Sequence, residues 1–523
     1  MCRPAREHPE RAAILGEPAP VTYAEVERAV ERVAAALRGS GCKARDRVLI
    51  VLPDSLEFIA AFYGAAKIGC IAVPVNPMAR ARDYGHYLAD SGARIAIVHT
   101  VAMAEFAAAA QACGLRRLIV AGDAGKFIEH IERAKSKWTE WSEWLPAAAN
   151  GTRARATSAL DPAFILYTSG SGGRPKGAVH RHRDMMAVTR GFVQGVLGLR
   201  TDDRTYSVSK LFFAYGLGNG MYFPFSVGAA AILDPERPRP ERVAELIARY
   251  RPTVFFAVPT FYGALLREAD RGLALDFSSL RLAVSAGEAL PAEIFEQFRK
   301  RFGLEILDGI GSTEMLHMFI SSRPGEARPG SCGREVDGYE AKILDEGGKR
   351  VADGEIGNLW VKGDSALAEY WKIPELTART KKGSWVMTGD KFTRDADGYY
   401  HYCGRADDMM KVSGMWVSPG EVENAILGHP NVSEAAVVGR ADEMGLVRPE
   451  AYVVLRAEVV ARPGMDLEIR EWLRARMEGY KCPGTIHFVA ELPKTATGKI
   501  QRFLLRGGGE PGGPAAGPKT GWV

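Results

Sequence analysis

The chain has 523 residues, 46% of them hydrophobic and 25% charged, enough to bury several cores and long enough for two to four domains. Its 68 basic and 63 acidic residues leave a net charge of +5, too slight and too scattered for a nucleic-acid footprint, so no polyanionic partner is expected. No window approaches the roughly 18 apolar residues that a membrane span needs, and the N-terminus MCRPAREHPER lacks the apolar core of a signal peptide, so a cytoplasmic, membrane-free protein is expected.

Short apolar runs alternate with amphipathic stretches in the first half, the pattern of a mostly parallel sheet flanked by helices. RVLIVLP, from Arg47 to Pro53, reads as a strand. SLEFIAAFYGAAKIG follows with apolar residues at helical spacing and stops at Gly69, and IAVPVN, ARIAIVH and RRLIVAG continue the strand series. Next comes YTSGSGGRPKGAVH, from Tyr167 to His180, a Gly- and hydroxyl-rich loop between two strand-like flanks, FILY and AVH.

A second alternating set begins near Thr253 with TVFFAVPT, RLAVSAGE from Arg281 and LEILDGIGSTE from Leu304. Each run ends in small or polar residues, namely Pro259 and Thr260, Ser285 to Glu288, and Gly309 to Glu314. Ligands of parallel sheets bind beyond the carboxyl ends of the strands, so these three ends are expected to line one crevice.

From about Gly333 the pattern shifts to short strands with the turn signals DEGGK and DADGYY, as in a small antiparallel region. After Gly404 helix and strand patterns return over about a hundred residues, the size of a small domain. The tail from Gly507, GGGEPGGPAAGPKTG, has the composition of a disordered segment. Cys2, Cys42, Cys70, Cys113, Cys332, Cys403 and Cys482 lie far apart, with no CxxC and no histidine at ligand spacing, which fits a reducing cytosol.

The loop after Tyr167 has the makings of a phosphate cradle: glycines expose backbone N–H groups, hydroxyls add donors, and Lys176 adds charge. It is not the common P-loop, because Pro175 precedes the lysine and Gly177 follows it, and Pro175 also breaks GxGxxG. Joining two strands, it fits a lid over phosphates better than a rigid nest. A long hairpin turn with an incidental lysine is the plainer alternative.

TSGSGGRPKG, Thr168 to Gly177, resembles the TSGSTGxPKG signature of the acyl-adenylate-forming superfamily of acyl-CoA synthetases, luciferases and peptide-synthetase adenylation domains, with Gly172 in place of the usual threonine. GSTE (Gly311 to Glu314), TGD (Thr388 to Asp390), GRADDMMKVSG (Gly404 to Gly414) and PKTATGKI (Pro493 to Ile500) resemble further motifs in family order. The resemblance implies an α/β fold: a large N-terminal domain of layered α/β subdomains with a small β-barrel-like region over 1–405, a mobile α+β C-terminal domain over 406–506, and a disordered tail at 507–523. Family members usually carry a longer segment ahead of the first helix; a start at REHPERAAILGEP bears on the N-terminal edge and not on the chemistry.

Enzymes of this kind join a carboxylate to ATP, release pyrophosphate, and then pass the acyl group to a thiol. The resemblance implies ATP contacts from Thr168, Ser169, Gly170, Ser171, Gly172, Gly173, Lys176, Asp308, Gly309, Thr313, Asp390, Arg405 and Lys499. Lys176 and the loop hydroxyls meet the β- and γ-phosphates, Thr313 the α-phosphate, Asp390 the ribose hydroxyls, and Arg405 ribose or phosphate. Glu314 offers a hard oxygen to Mg²⁺, which binds through one or two carboxylates plus phosphates. Lys499 swings in to stabilise the adenylation transition state, making it catalytic together with Lys176, Thr313 and Glu314.

Asp407 matches the hinge about which the small domain turns. Its neighbour Asp408 is not read as half of an acid-base pair, since adjacent residues on one strand point oppositely. Gly414 resembles the glycine of the pantetheine tunnel, and Tyr480 and Lys481 are the candidates for the CoA nucleotide.

SKLFFAYGLGNGMYFPF (Ser209 to Phe225) and GSTEMLHMFIS (Gly311 to Ser321) resemble segments of benzoate-CoA ligases and related aromatic-acid CoA ligases. Ala214, Tyr215 and His317 then line the acyl pocket, with Ala286, Gly287, Gly309 and Ile310 as floor and walls. Glycine, alanine and a ring leave a flat slot that suits a planar acid better than an alkyl chain. Core packing is the plainer role for Tyr215 and His317. The expected function is ATP-dependent activation of an aromatic carboxylate to acyl-AMP and transfer to CoA, with ATP, Mg²⁺ and coenzyme A as co-substrates, no tightly bound cofactor, and a monomer or homodimer. Loading of a carrier-protein thiol is the alternative, and a non-catalytic carboxylate and nucleotide sensor, motivated by Gly172, is a third reading.

Overall fold

Strands that lie between two helix layers must bury both faces, and the apolar runs do so. In Arg47–Val51 every residue after Arg47 is buried. Val48 and Ile50 enter one apolar cluster, while Leu49 and Val51 enter another on the opposite face. The computed structural model describes residues 6–16, 18–146, 152–169, 174–406, 408–412, 415–441, 446–494 and 500–506. The tail at 507–523, for which disorder is expected, therefore lies outside the described residues.

Two large sheets organise the described residues. The first has eight strands in the order Glu369–Tyr370, Pro175–Arg181, Pro162–Ser169, Ile71–Pro74, Arg47–Val51, Ile95–His99, Arg117–Ala121, Lys137–Glu140. It is parallel from Pro162–Ser169 onward and antiparallel at the edge that carries the Gly-rich loop. The second has nine, in the order Arg334–Glu335, Met318–Ser321, Ile306–Gly311, Leu282–Ser285, Val254–Ala257, Arg204–Ser207, Ala230–Ile232, Ala12–Leu15, Val21–Thr22.

Helix Leu56–Lys67 shows how local signals place a layer between them. The Ser55 side chain caps it by accepting from the Phe58 N–H, and Gly69, at φ +77°, lets the chain leave at the other end. Helix Tyr23–Gly39 starts on a capping box formed by Thr22 and Glu25. Both helices contribute to the cluster that holds Ile50 of the first sheet and Val254 and Phe256 of the second, whereas Phe255 and Ala257 face a separate cluster. The inner faces of the two sheets thus share one apolar layer.

A five-stranded antiparallel sheet follows, with Tyr339–Leu344, Gly357–Gly363, Trp385–Arg394, Lys381–Lys382 and Tyr400–Arg405. Leu359, Val361 and Val386 extend it into the same inner layer. The last part has its own core: strands Val432–Ala441, Val447–Leu455 and Thr485–Phe488 with helices Pro419–Leu427 and Met465–Arg474. Arg502 closes it by donating to both oxygens of Glu423, at 3.0 and 2.7 Å, while Glu423 Oε1 accepts from the Val437 N–H. No helix among the described residues is long and apolar enough to cross a membrane.

Asp408 departs from the strand placement expected for it. Asp408 lies in a turn beyond Tyr400–Arg405, not on a strand, and pairs with Arg506, so the alternation of strand faces does not apply to it.

Phe62 tests the inner layer. Fully buried, it packs on Phe58, Tyr63 and Phe164, with ring centroids 5.4–6.5 Å apart. Phe62→Ala is expected to cost about 3–5 kcal/mol in urea unfolding, and Phe62→Leu under about 1.5 kcal/mol. Equal losses would show that the layer is not closely packed there.

Candidate active site

Val254–Ala257, Leu282–Ser285 and Ile306–Gly311 are parallel neighbours, with Ala257 beside Ser285 and Ser285 beside Asp308. Their carboxyl ends therefore open side by side, as the spacing predicts. The third strand does not cross over: a tight 3₁₀ turn, Thr313–Met315, reverses it into antiparallel Met318–Ser321. Ser312 caps this turn by accepting from the Met315 N–H, and Leu316 leaves it at φ +68°, a left-handed conformation costly for a branched residue. A Cβ on Gly309 would lie 2.6 Å from the Ile320 carbonyl oxygen, and one on Gly311 2.7 Å from the His317 carbonyl carbon. Neither position admits a side chain without moving the backbone.

Asp308 is 5% exposed, and burial pushes its carboxyl up to about 8. At neutral pH it is largely protonated, so it presents an O–H donor as well as an acceptor. The Ser285 hydroxyl, the Gly309 and Leu290 N–H groups and the Cys332 thiol surround it and offset that rise only in part.

The Gly-rich segment joins Pro162–Ser169 to Pro175–Arg181 as an antiparallel hairpin, with Thr168 opposite Lys176. Gly170, Ser171, Gly172 and Gly173 lie outside the described residues. The base of the hairpin is well anchored. Tyr167 O–H donates to Asp90 at 2.6 Å, and His86 Nε2 lies 2.7 Å from the Pro175 carbonyl. Fully buried His180 places Nε2 2.8 Å from the Thr313 carbonyl and Nδ1 3.0 Å from Asp184 Oδ2. Asp184 also accepts from the Arg181 backbone and guanidinium. The hairpin is thereby tied to the turn that carries Thr313 and Glu314.

Glu314 is half-buried, accepts from Tyr370 O–H at 2.7 Å, and its carbonyl accepts from the Leu367 N–H. Across the crevice, Asp390 and Arg405 sit in register on paired strands, and Arg405 Nη1 donates to Asp390 at 2.9 Å and to the Thr388 carbonyl at 3.2 Å. The Asp390 carboxylate raises Arg405 further above its ordinary value.

A cluster of packed rings lies beside Ile306–Gly311. His317 is 3% exposed and packs within 5.3 Å of the Phe192, Tyr215 and Phe223 rings, centroid to centroid. Burial drives it down to about 3, so the ring is neutral at physiological pH. Its Nε2 meets Asn219 Oδ1 at 3.2 Å, and a Cβ on Gly218 would fall 2.8 Å from its Cδ2. Tyr215 O–H donates to the Val284 carbonyl at 3.3 Å, next to buried Ser285 and Ala286. Ala214 and Ile310 are partly buried against the same apolar cluster, whereas Gly287 is exposed and takes φ +95°.

The structure thus brings together Thr168, Lys176, Asp308, Gly309, Thr313, Glu314, Asp390 and Arg405 with Tyr215 and His317 around the strand exits. Lys499, Asp407 and Gly414 lie outside the described residues. Lys481 is 2.6 Å from Glu421 and 3.0 Å from Glu478, so its charge is already matched, and Tyr480 packs against the core of the last part. Sequence reasoning missed His180, Asp184, Asn219 and Tyr370. A histidine inside the apolar run AVH is a signal for the first; Asn219 sits in a π-helical turn, Gly218–Tyr222, that no simple period reveals. No cluster of three or more His, Cys, Asp or Glu that could hold a metal occurs among the described residues.

Residues 2–371 match the family model of the AMP-binding enzymes and 421–499 that of the AMP-binding enzyme C-terminal domain. The chain is 42% identical over 488 residues to the benzoate–CoA ligase of Thauera aromatica, covering 93% of this chain and 90% of that protein. It is similar to the crystal structure of a benzoate CoA ligase from Burkholderia xenovorans LB400, with TM-score 0.88, 40% identity, and 96% of this chain and 98% of that one covered. It is also similar to an anthranilate CoA ligase in complex with anthranoyl-AMP, with TM-score 0.90, 38% identity and 96% of each chain covered.

Asp308 gives the crevice a pH signature. Its ordinary value is 3.8 and its folded value about 8, so the folded protein holds a proton that the unfolded chain has released. That contribution to stability is complete below about pH 3.8 and is lost as pH rises towards 8. Asp308→Asn removes the titration, so its unfolding temperature is expected to gain on the parent's between pH 5 and 8 and then level off. A difference that stays flat with pH would place the Asp308 carboxyl in a polar environment.

Proposed function

The chain belongs to the AMP-binding enzyme family, and from that premise we propose that it is a ligase for benzoate or a close ring analogue, acting in the cytoplasm as a monomer or homodimer. It activates an aromatic carboxylate with ATP, forming acyl-AMP and pyrophosphate, and then makes the CoA thioester. The observation that carries the reading is the likeness to benzoate–CoA ligases over nearly the whole length, which takes in both the ring slot and the polar rim around it.

The slot supports a planar acid. Its walls are Tyr215, neutral His317 and the backbone of glycines, with Ala214, Ala286, Gly287, Gly309 and Ile310 around them. A neutral histidine leaves the carboxylate as the charged end of the substrate, and that end faces the strand exits. There the attacking carboxylate oxygen and the α-phosphate are both negative, so positioning and charge neutralisation carry the step.

Thr313 donates to the α-phosphate, while Lys176 with Thr168, Ser169, Ser171 and the glycines of the loop holds the β- and γ-phosphates. Asp390 accepts from the ribose hydroxyls. Arg405, oriented by Asp390, reaches ribose or phosphate. Asp308 and Gly309 border the nucleotide. Glu314 has one oxygen engaged by Tyr370 and lone pairs left on both, a donor that fits Mg²⁺ when phosphates supply the other ligands; bound there, the ion neutralises phosphate charge. Lys499 stabilises the charge that develops at the reacting centre.

The domain division falls at Arg405 and Ala406, with Asp407 as the hinge that turns 406–506 between the two half-reactions. Gly414 leaves room for the pantetheine thiol, and Tyr480 and Lys481 meet the CoA nucleotide. Lys481 must then exchange part of its pairing with Glu421 and Glu478 for phosphate.

With ATP, Mg²⁺ and CoA, the protein is expected to form thioesters from benzoate and hydroxybenzoates faster than from cyclohexanecarboxylate, and faster still than from octanoate, by mass spectrometry of products. Lys499→Ala is expected to lower adenylation roughly 10²- to 10³-fold, the scale for losing one preorganised donor to developing charge. A preference for octanoate would reject the flat slot. Acyl-AMP without thioester would move the acceptor to a carrier-protein thiol, and neither product would leave a binding protein disabled at Gly172.

The Asp390–Arg405 pair yields a separate expectation. Asp390→Ala should raise KM for ATP about tenfold, the loss of roughly 1.4 kcal/mol of hydrogen bonding to ribose, and leave KM for the acid within about twofold. An unchanged KM for ATP would remove Asp390 from the nucleotide site.

A further inference from the structure

We propose that His180 is a positioning residue for adenylation, holding the Thr313 peptide through its Nε2–H so that the side chain of Thr313 is fixed against the α-phosphate. The proposal rests on the reading of Thr313 given above and assigns a role to a residue outside the nucleotide and acid contacts.

A carbonyl oxygen only accepts hydrogen bonds, so at 2.8 Å from the Thr313 carbonyl the Nε2 of His180 is the donor. The ring has no freedom to leave this arrangement. It is wholly buried, lies nearly parallel to the Phe164 ring at 5.2 Å between centroids, and meets Asp184 through its other nitrogen at 3.0 Å. Asp184 is buried in turn and held by the backbone and guanidinium of Arg181, whose Nη2 also donates to the Ala366 carbonyl at 2.6 Å. A chain of bonds thus runs from the segment before Tyr370 through Arg181, Asp184 and His180 to Thr313.

The geometry matters because of what the 3₁₀ turn lacks. Thr313–Met315 is three residues long and ends at a left-handed Leu316; Leu367 N–H and Ser365 O–H hold its Glu314 and Met315 carbonyls, but not that of Thr313. Its carbonyl at Thr313 would otherwise depend on the bond from the Leu316 N–H alone. His180 lies on the strand that also bears Lys176, so one rigid strand places the proposed β/γ-phosphate lysine and fixes the proposed α-phosphate threonine. His180 is thus the direct side-chain tie between the two phosphate contacts, beside the backbone tie in which the Leu367 N–H meets the Glu314 carbonyl and the Ala368 N–H the Val179 carbonyl.

Two substitutions separate the ring's two bonds. The amide N–H of His180→Gln reaches where Nε2 sits and keeps the bond to Thr313; that of His180→Asn reaches only as far as Nδ1 and keeps the bond to Asp184. Benzoate-dependent pyrophosphate release is measured on the full-length protein and both variants, with unfolding temperatures alongside. His180→Asn is expected to lower kcat about ten- to a hundredfold, the scale of a misplaced catalytic group, with KM for benzoate within about twofold, and His180→Gln to stay within about threefold of the parent. Asp184→Asn, which leaves the Nε2 bond in place, is expected to keep kcat within about the same threefold.

Equal kcat for the Asn and Gln variants, a better Asn than Gln variant, or an Asp184→Asn protein that loses as much as His180→Asn overturns the proposal. So does a His180→Asn protein that fails to fold, since burial alone would then account for the residue. A parent protein that releases no pyrophosphate with any aromatic acid overturns the functional reading itself, and is told apart because it precedes any comparison of variants.

Discussion

The two large sheets share one apolar layer, and the polar crevice at their edges depends on that constraint. Val48 and Ile50 from one sheet and Val254 and Phe256 from the other turn inward to the same cluster, with helices Tyr23–Gly39 and Leu56–Lys67 filling the space. A layer packed to interior density has little slack, so the sheets cannot slide independently. Their edges are consequently fixed in relation to each other: the hairpin of the first sheet meets the strand exits of the second, and His180 bridges the two.

Polar groups at this meeting point are held by partners that burial makes expensive to lose. Asp308 stays protonated and His317 neutral for the same reason, since the ring-lined side of the crevice disfavours charge. Charge appears instead where it is paired, as in Asp390 with Arg405. The crevice is thus divided into a ring-lined side that disfavours charge and a side where charge is held in a pair. An enzyme joining an aromatic acid to a nucleotide needs that division.

Much of this was legible in the residues. RVLIVLP, IAVPVN, ARIAIVH, TVFFAVPT and RLAVSAGE became strands because runs of Val, Ile and Phe with small or polar residues at their ends have one stable use in an α/β protein. The motif order located Thr313, Glu314, Asp390 and Arg405 at the crevice. Asn219, His180 and Tyr370 were less accessible because their roles depend on partners 98, 133 and 56 residues away, and no local period encodes such distances. The protonation of Asp308 was also hidden: an aspartate inside ILDGIG looks the same whether it is buried or wet.

The glycines of the slot carry a consequence for how such proteins diversify. Gly309, Gly311 and Gly218 face atoms of a neighbouring strand or ring at the place where a side chain would begin, so mutation there does not fill the slot but displaces its wall. Drift towards smaller acids is closed along that route. On the pocket proposed above, a change of preferred ring falls instead to Ala214, Tyr215, Ile310 and His317, whose side chains can be exchanged without rebuilding the backbone. A narrow set of permissive positions means that unrelated lineages shifting to the same acid should converge on the same few exchanges.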